Sequence, residues 1–124
     1  MENNKTILIV DDDASIINIM SLILRNTGYN VSTNGNGDLH FLQDHIYPDL
    51  ILLDNELGSK NGAEICRHLK DNPLTQHIPI MLVSATEGLA QISVHAGAND
   101  FLPKPFDVET LLLKVASLIG KGQP

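Results

Sequence analysis

Hydrophobic residues follow two patterns that alternate along this chain. Short continuous apolar runs, rich in β-branched side chains, are typical of buried strands. Five such runs lie at residues 7–10, 29–33, 50–53, 80–83 and 100–102. Between them, apolar residues recur at intervals of three and four, which is the spacing of one helix face. The chain is therefore predicted to alternate strands with amphipathic helices.

Five helices are predicted from this spacing, and glycine or proline marks several of their ends. The apolar residues that define them are Ile16, Met20, Ile23 and Leu24, then Leu39, Leu42 and Ile46, then Ile65, Cys66 and Leu69, then Leu89, Ile92 and Ala96, and finally Val108, Leu111, Leu112, Val115, Leu118 and Ile119. Continuous apolar strands separated by helices indicate a parallel sheet covered on both faces. The fold class predicted is α/β, with a doubly wound parallel sheet.

Composition narrows the functions that this fold could carry. A chain of 124 residues with 43% hydrophobic residues suits one domain, predicted over residues 1–124 with a flexible tail at 121–124. Fifteen acidic against eight basic residues give a net charge of −7, which argues against nucleic acid and membrane partners. The N-terminus lacks the features of a secretory signal and Cys66 is the single cysteine, so a cytoplasmic location is expected.

Polar residues follow the predicted strands where those strands end. Asp11, Asp12 and Asp13 follow the first strand, Asp54 follows the third, Ser84 follows the fourth, and Lys104 follows the fifth. The carboxyl ends of parallel strands share one edge of the sheet, where ligands bind in doubly wound folds. Asp13 is predicted to cap the first helix, which leaves Asp11 and Asp12 to face that edge. Each signal alone is also typical of a solvated turn or a cap, but their joint position indicates a site.

Clustered carboxylates repel one another, so the predicted site needs a cation. Mg²⁺ prefers hard oxygen ligands and keeps several waters, which suits a few aspartates and a backbone carbonyl. The histidines lie in predicted helices and loops away from the strand ends, so a histidine or thiolate metal site is not expected.

Four stretches in this order closely resemble the receiver (CheY-like) domain of two-component response regulators. They read ILIVDDD, PDLILLD, IPIMLVSA and AGANDFLPKPF, and the match covers essentially the whole chain. The resemblance implies a flavodoxin-like (βα)5 fold. It also implies that Asp54 accepts a phosphoryl group from a sensor histidine kinase or phosphotransfer protein, without enzymatic activity beyond phosphoryl acceptance and acyl-phosphate hydrolysis.

The same resemblance implies roles for the other site residues. Asp12 and Asp54 would ligate Mg²⁺ (or Mn²⁺) directly, the backbone carbonyl of Glu56 would be a third ligand, and Asp11 would act through water. Lys104 and Ser84 would contact the phosphoryl group, and Phe101 would be an aromatic switch. The Lys104–Pro105 peptide would be cis. A downstream protein would bind the face formed by the fourth helix, fifth strand and last helix.

The chain also departs from the family pattern. Asn55 and Gly58 stand where an apolar residue and a proline are usual, so residues 55–61 are predicted to form a looser loop beside solvent. Glu56 adds a carboxylate near the acceptor, which by like-charge repulsion would alter phosphorylation or the lifetime of the acyl phosphate. The short spacing between Ser84 and Lys104 predicts a short or displaced fourth helix.

Three other functions compete with this interpretation. A flavin-binding electron carrier fits poorly, because the first loop is rich in aspartate rather than in Ser, Thr and Gly. An aspartate-based phosphohydrolase lacks its expected second aspartate, since Glu56 stands at that position. A receiver-like interaction module without phosphotransfer stays open because of the unusual residues after Asp54. The sequence does not distinguish a stand-alone regulator, whose output requires a partner, from a piece of a longer protein.

Overall fold

The computed structural model describes residues 4–39 and 45–120. The helices in those ranges are α1 (Ala14–Asn26), α2 (Gly62–Asp71), α3 (Leu89–Ala96) and α4 (Val108–Ile119). The strands are β1 (Thr6–Val10), β2 (Asn30–Asn34), β3 (Leu50–Leu53), β4 (Glu56–Leu57), β5 (Lys60–Asn61), β6 (Ile80–Ser84) and β7 (Asp100–Pro103). The second predicted helix runs through residues 40–44, which lie outside the described residues, as does the predicted tail at 121–124.

Five of the strands form one parallel sheet in the order β2-β1-β3-β6-β7. The chain runs from β1 outwards to β2 and then returns to the other side of β1 to form β3. This reversal is the switch point at which doubly wound sheets bind their ligands. The predicted α/β fold with a doubly wound, five-stranded parallel sheet is confirmed.

The helices cover both faces of the sheet because its strands are apolar on both sides. In β3, alternate residues enter opposite cores: Ile51 and Leu53 pack with α2 and α3, whereas Leu50 and Leu52 pack with α1 and α4. All four side chains of β3 are at most 1% exposed. No described helix combines the length and the apolar character needed to cross a bilayer.

Helix ends follow the predicted signals. The Asp13 carboxylate accepts hydrogen bonds from the backbone N–H groups of Ser15 and Ile16, at 2.9 and 3.4 Å, and so caps α1 as expected. Helix α3, which is the fourth predicted helix, has eight residues and lies between Gly88 and Gly97, both with positive φ. It is the shortest of the described helices, in agreement with the tight spacing of this segment.

Residues 56 and 58–61 are exposed, as predicted for a loop beside solvent, but the segment 55–61 is a hairpin rather than an irregular loop. Strands β4 and β5 pair in an antiparallel hairpin, and Gly58, with φ of 63°, supplies the left-handed residue of its tight turn. Asn55 is 5% exposed and Leu57 is 3% exposed, so both belong to the interior. Backbone pairing and the burial of Leu57 therefore order a segment whose polar composition indicated a loop.

Candidate functional site

The parallel register places the first two carboxylates side by side. Val10 pairs with Leu53, so the next residues, Asp11 and Asp54, leave adjacent strands together. The backbone N–H of Asp54 donates to the carbonyl of Val10 at 2.9 Å, which extends the pairing to the acceptor position. One carboxylate oxygen each of Asp11, Asp12 and Asp54 lies within 4.8 Å of the others. The predicted convergence of these three aspartates is present.

Lys104 contacts two of the three carboxylates. Its Nζ donates to Asp11 Oδ2 at 2.7 Å and to Asp54 Oδ2 at 3.4 Å. The Lys104–Pro105 peptide is cis, as the resemblance implied. The backbone N–H of Lys104 donates to the carbonyl of Ser84 at 3.0 Å, which ties the end of β7 to the end of β6.

Burial dominates the electrostatics of this cluster. Burial raises the pKa of the Asp11 carboxyl above its ordinary value, although Lys104 and the backbone N–H of Asp13 act in the opposite direction. At Lys104, burial alone would lower the pKa, but the hydrogen bond and charge of Asp11 and the charge of Asp54 raise it overall. The lysine therefore stays charged at neutral pH and offsets part of the carboxylate repulsion.

The donor set of this cluster fits a hard divalent cation. Three carboxylates offer oxygen ligands at close range, and Asp12 is exposed, which leaves room for metal-bound water. The desolvated charge at Asp11 is a physical reason for a cation to bind there. Glu56 makes a different contact, since its backbone N–H donates to Asp54 Oδ1 at 3.3 Å. Metal ligation by the Glu56 carbonyl stays a prediction.

Ser84 belongs to a small, partly buried hydrogen-bond network that the sequence did not reveal. Its Oγ lies 2.8 Å from Thr86 Oγ1 and accepts the Thr86 backbone N–H at 3.2 Å. Asn55 Nδ2 lies 3.4 Å from Thr86 Oγ1. The network thus connects the residue after the acceptor to the predicted phosphoryl contact. The one available sequence signal was the unusual asparagine at position 55.

Gly62 is a second residue whose importance the sequence did not show. A Cβ at this position would lie 2.0 Å from the carbonyl oxygen of Asp54, a distance that no side chain can adopt. The Gly62 N–H also donates to the carbonyl of Asn55 at 2.7 Å. Gly62 therefore lies directly against the backbone of the acceptor residue.

Phe101 lies on β7, outside the carboxylate cluster. Its ring is half-buried against the core that contains α2 and α3. Lys114 Nζ lies 5.2 Å from the ring centroid and also pairs with Asp100 at 2.9 Å. These contacts place the aromatic ring at the border of the face formed by α3, β7 and α4, where a switch residue was predicted.

Comparisons with known proteins agree with this geometry. The chain matches the response regulator receiver domain family over residues 7–116. It is 37% identical over 115 residues to the response regulator PleD of Caulobacter vibrioides, covering 90% of this chain and 25% of PleD. It is 37% identical over 119 residues to the DNA-binding dual master transcriptional regulator RpaA of Synechocystis, covering 93% of this chain and 49% of RpaA. The chain thus spans half or less of these relatives.

Solved structures give the same result. The receiver domain of the sensor histidine kinase PA1611 from Pseudomonas aeruginosa superimposes with a TM-score of 0.82 and 26% identity, covering 94% of this chain and 98% of that one. That structure holds a magnesium ion in its active-site cleft.

Proposed function

Because this chain belongs to the response regulator receiver domain family, we propose that Asp54 accepts a phosphoryl group from a phosphohistidine on a histidine kinase or phosphotransfer protein. The observation that carries this assignment is the meeting of Asp11, Asp12 and Asp54 with the Nζ of Lys104 at the carboxyl edge of the sheet. Three acidic side chains and one cation at the ends of three strands are the donors and the charge that phosphoryl transfer needs.

In the transfer, an Asp54 carboxylate oxygen attacks phosphorus and forms an O–P bond. The N–P bond to the histidine breaks, and the imidazole nitrogen keeps the electron pair. Asp54 can be held in line because it follows β3, whose side chains are buried on both faces. The close packing of Gly62 against the Asp54 carbonyl further restricts the backbone of Asp54. Later attack by water on the acyl phosphate would restore the free carboxylate.

Asp11, Asp12 and Asp54 are the residues that would hold Mg²⁺ or Mn²⁺, with Asp11 acting through water. When bound, the ion neutralises charge on the transferring oxygens. The magnesium in the cleft of the PA1611 receiver domain supports this choice of cofactor.

Two residues would contact the phosphoryl group, and a third would change conformation in response. Lys104 would pair with one phosphoryl oxygen and Ser84 would donate its hydroxyl to another, while Phe101 would rotate as the end of β6 moves. The downstream partner would bind the face of α3, β7 and α4. The helices of this face carry exposed apolar side chains, since Val94 on α3 is 75% exposed and Leu113 on α4 is 65% exposed.

The competing functions are less well supported. Family membership disfavours a flavin carrier, which would share only the fold, and an aspartate-based phosphohydrolase. A receiver-like module without phosphotransfer is not favoured, because the acceptor, the other two carboxylates and the lysine lie together. We propose one receiver domain over residues 1–124, whose chemistry is limited to acceptance and hydrolysis of the phosphoryl group.

The test is intact mass spectrometry after incubation with a small-molecule phosphodonor and Mg²⁺. We expect the wild type to gain the mass of one phosphoryl group and Asp54→Asn to gain none. Omitting the divalent ion should remove the gain. An unmodified wild-type mass under conditions that phosphorylate another receiver domain would reject the proposal.

A further inference from the structure

The orientation of the Asn55 side chain is set by a backbone group. Its Oδ1 accepts the N–H of Ala63 at 3.0 Å, and this bond is buried. A backbone N–H can only donate, so the oxygen of the amide must face Ala63. The Nδ2 group, which can also only donate, is therefore the end that faces Thr86 Oγ1 at 3.4 Å.

This orientation favours one direction for the hydrogen bond between Thr86 and Ser84. A hydroxyl that accepts a hydrogen bond becomes a stronger donor, so the bond from Asn55 favours donation by Thr86 Oγ1 to its other neighbour, Ser84 Oγ, at 2.8 Å. Ser84 Oγ also accepts the Thr86 backbone N–H at 3.2 Å. Both lone pairs of Ser84 Oγ are then used, whereas its own proton is not.

The unused proton of Ser84 lies in a chemically relevant place. Ser84 is 2% exposed, and within residues 4–39 and 45–120 its Oγ has hydrogen bonds only with Thr86. Ser84 ends β6, the strand that pairs with β3 ahead of Asp54. Its carbonyl accepts the N–H of Lys104, whose Nζ reaches Asp54. The strand next to that of the acceptor therefore ends in a hydroxyl whose proton is available for a further hydrogen bond.

We propose that Asn55 is a positioning residue, which directs the hydrogen bonds through Thr86 so that the hydroxyl proton of Ser84 stays available to a phosphoryl oxygen on Asp54. This inference rests on the proposed function. An apolar residue at position 55 has no amide to donate, so Thr86 is no longer favoured as the donor and Ser84 can donate to the Thr86 hydroxyl instead. The proton of Ser84 is then spent within the network, and binding of a phosphoryl oxygen must first release it.

The sharpest variant is Asn55→Asp, which keeps the shape of the side chain and the acceptor for Ala63 but replaces the donor with a second acceptor. Thr86 would then donate to the introduced carboxylate and accept from Ser84, which reverses the network. The probe is beryllofluoride with Mg²⁺, a phosphoryl mimic, and the readout is its dissociation constant from titration calorimetry. We expect Asn55→Asp to bind about tenfold more weakly and Asn55→Leu about threefold more weakly, as for loss of a charge-assisted hydrogen bond.

A double-mutant cycle with Ser84→Ala separates this role from packing and from added charge. In the Ser84→Ala background the hydroxyl is gone, so Asn55→Leu should have no further effect. Asn55→Asp should retain only the part of its effect that arises from its charge. Penalties of equal size with and without the Ser84 hydroxyl would overturn the inference.

Thr86 provides an independent pair of variants should position 55 prove intolerant. Thr86→Ser keeps the hydroxyl and should bind beryllofluoride as the wild type does, whereas Thr86→Val should bind about threefold more weakly. Equal binding by these two variants would also overturn the inference while the proposed function stands. A wild type that neither binds the probe nor gains a phosphoryl group would reject both.

Discussion

The interior of the sheet and its carboxyl edge both bury side chains, but burial stabilises the first region and is unfavourable for charge in the second. In the interior, Leu50–Leu53 and Ile80–Ser84 lie side by side and their apolar side chains contribute to two hydrophobic cores. At the edge, Asp11 and Asp54 are 2% and 7% exposed, although each carries a carboxyl group. Burial of the first set stabilises the fold by removing apolar surface from water, whereas burial of Asp11 opposes ionisation of its carboxyl group.

Two ionisable groups show how each region responds to burial. Cys66, on the buried face of α2, is kept neutral, because burial raises the pKa of its thiol to about 11. Burial also raises the pKa of Asp11, but Lys104 lies 2.7 Å away and favours the charged form. The interior therefore keeps its ionisable group neutral, whereas the edge holds a lysine close to its carboxylates. One lysine faces three carboxylates, so the edge keeps an excess of negative charge that a metal ion can bind.

The largest effect should come from emptying the interior. Leu52 is 1% exposed and packs between the sheet and the layer of α1 and α4. We expect Leu52→Ala to lower the free energy of unfolding by about 3 kcal/mol, measured by urea denaturation, because it removes buried methyl groups and leaves a cavity. Leu113→Ala is the matched control, since Leu113 is 65% exposed and its truncation should cost less than about 0.5 kcal/mol. Similar losses for both variants would contradict the division between interior and surface.

The next effect is a pH dependence that arises from the interior. The ordinary thiol pKa of 9.0 applies to the unfolded chain, whereas the folded pKa of Cys66 is about 11. As pH rises through this window, the unfolded thiol loses its proton and the folded one keeps it, which favours unfolding. Stability from the neutral thiol is thus complete below pH 9 and is lost as pH approaches 11, by about 2 to 3 kcal/mol.

Because other groups also titrate at alkaline pH, the quantity to measure is the difference in the free energy of unfolding between the wild type and Cys66→Ala. Urea denaturation of the wild type and of Cys66→Ala, at several pH values, removes what the two chains share. We expect the stability advantage of the wild type to decline across the window. A difference that stays constant with pH would show that the thiol is not desolvated.

At the edge, removing a charged group should raise the free energy of unfolding, by less than the losses predicted for the interior. Without divalent ions, we expect Asp11→Asn to raise the free energy of unfolding by about 1 kcal/mol, because the asparagine can be buried without the cost of desolvating a carboxylate. The raised pKa of Asp11 means that this gain should vanish at low pH, where the carboxyl is protonated, and should grow as pH rises through its pKa.

In the presence of Mg²⁺, the wild type should become more stable than Asp11→Asn. At a concentration ten times its dissociation constant, it should stabilise the wild type by about 1.4 kcal/mol. Asp12→Asn, at an exposed position, should lose this stabilisation without the gain seen for Asp11→Asn. Asp71→Asn makes the same change of net charge at the far end of α2 and should keep the full response to Mg²⁺. An Asp12→Asn variant that responds like the wild type would argue against the metal assignment.

The contrast between interior and edge also explains what the sequence could predict. Runs such as Leu50–Leu53 are apolar because both faces of the strand are buried, so strands, helices and fold class could be predicted from local pattern. Asp11, Asp12, Asp54 and Lys104 were found because parallel strands end at one edge, which makes the position of a residue at a strand end informative. The register of β1 against β3 then brought these residues together.

The hairpin and the Asn55 network could not be predicted in this way. Strands β4 and β5 have two residues each, which is too short for a periodic pattern. The role of Asn55 depends on its contacts with Ala63 and Thr86, which are distant in sequence. Gly62 is needed because the backbone of Asp54 passes close to it, and a sequence does not reveal such an approach. These features come from tertiary contacts rather than from local preference.

The smallest expected effect concerns Glu56, which the hairpin holds beside the acceptor with an exposed side chain and its N–H on Asp54 Oδ1. Its carboxylate should repel an anionic phosphodonor and the phosphoryl group. We expect Glu56→Gln to be phosphorylated about two- to threefold faster by a small anionic phosphodonor and to show a changed rate of acyl-phosphate decay, in line with the modest energies of exposed charges.

Salt separates repulsion by Glu56 from other roles of this side chain. A through-solvent repulsion should shrink as ionic strength rises, so the two rates of phosphorylation should converge in high salt. Asp71→Asn, with the same net charge as Glu56→Gln, controls for the overall charge of the domain. A rate advantage that persists unchanged in high salt would mean that Glu56 acts through contact with the site rather than through its charge. Equal decay and equal phosphorylation in low salt would show that the hairpin directs this carboxylate away from the phosphoryl group.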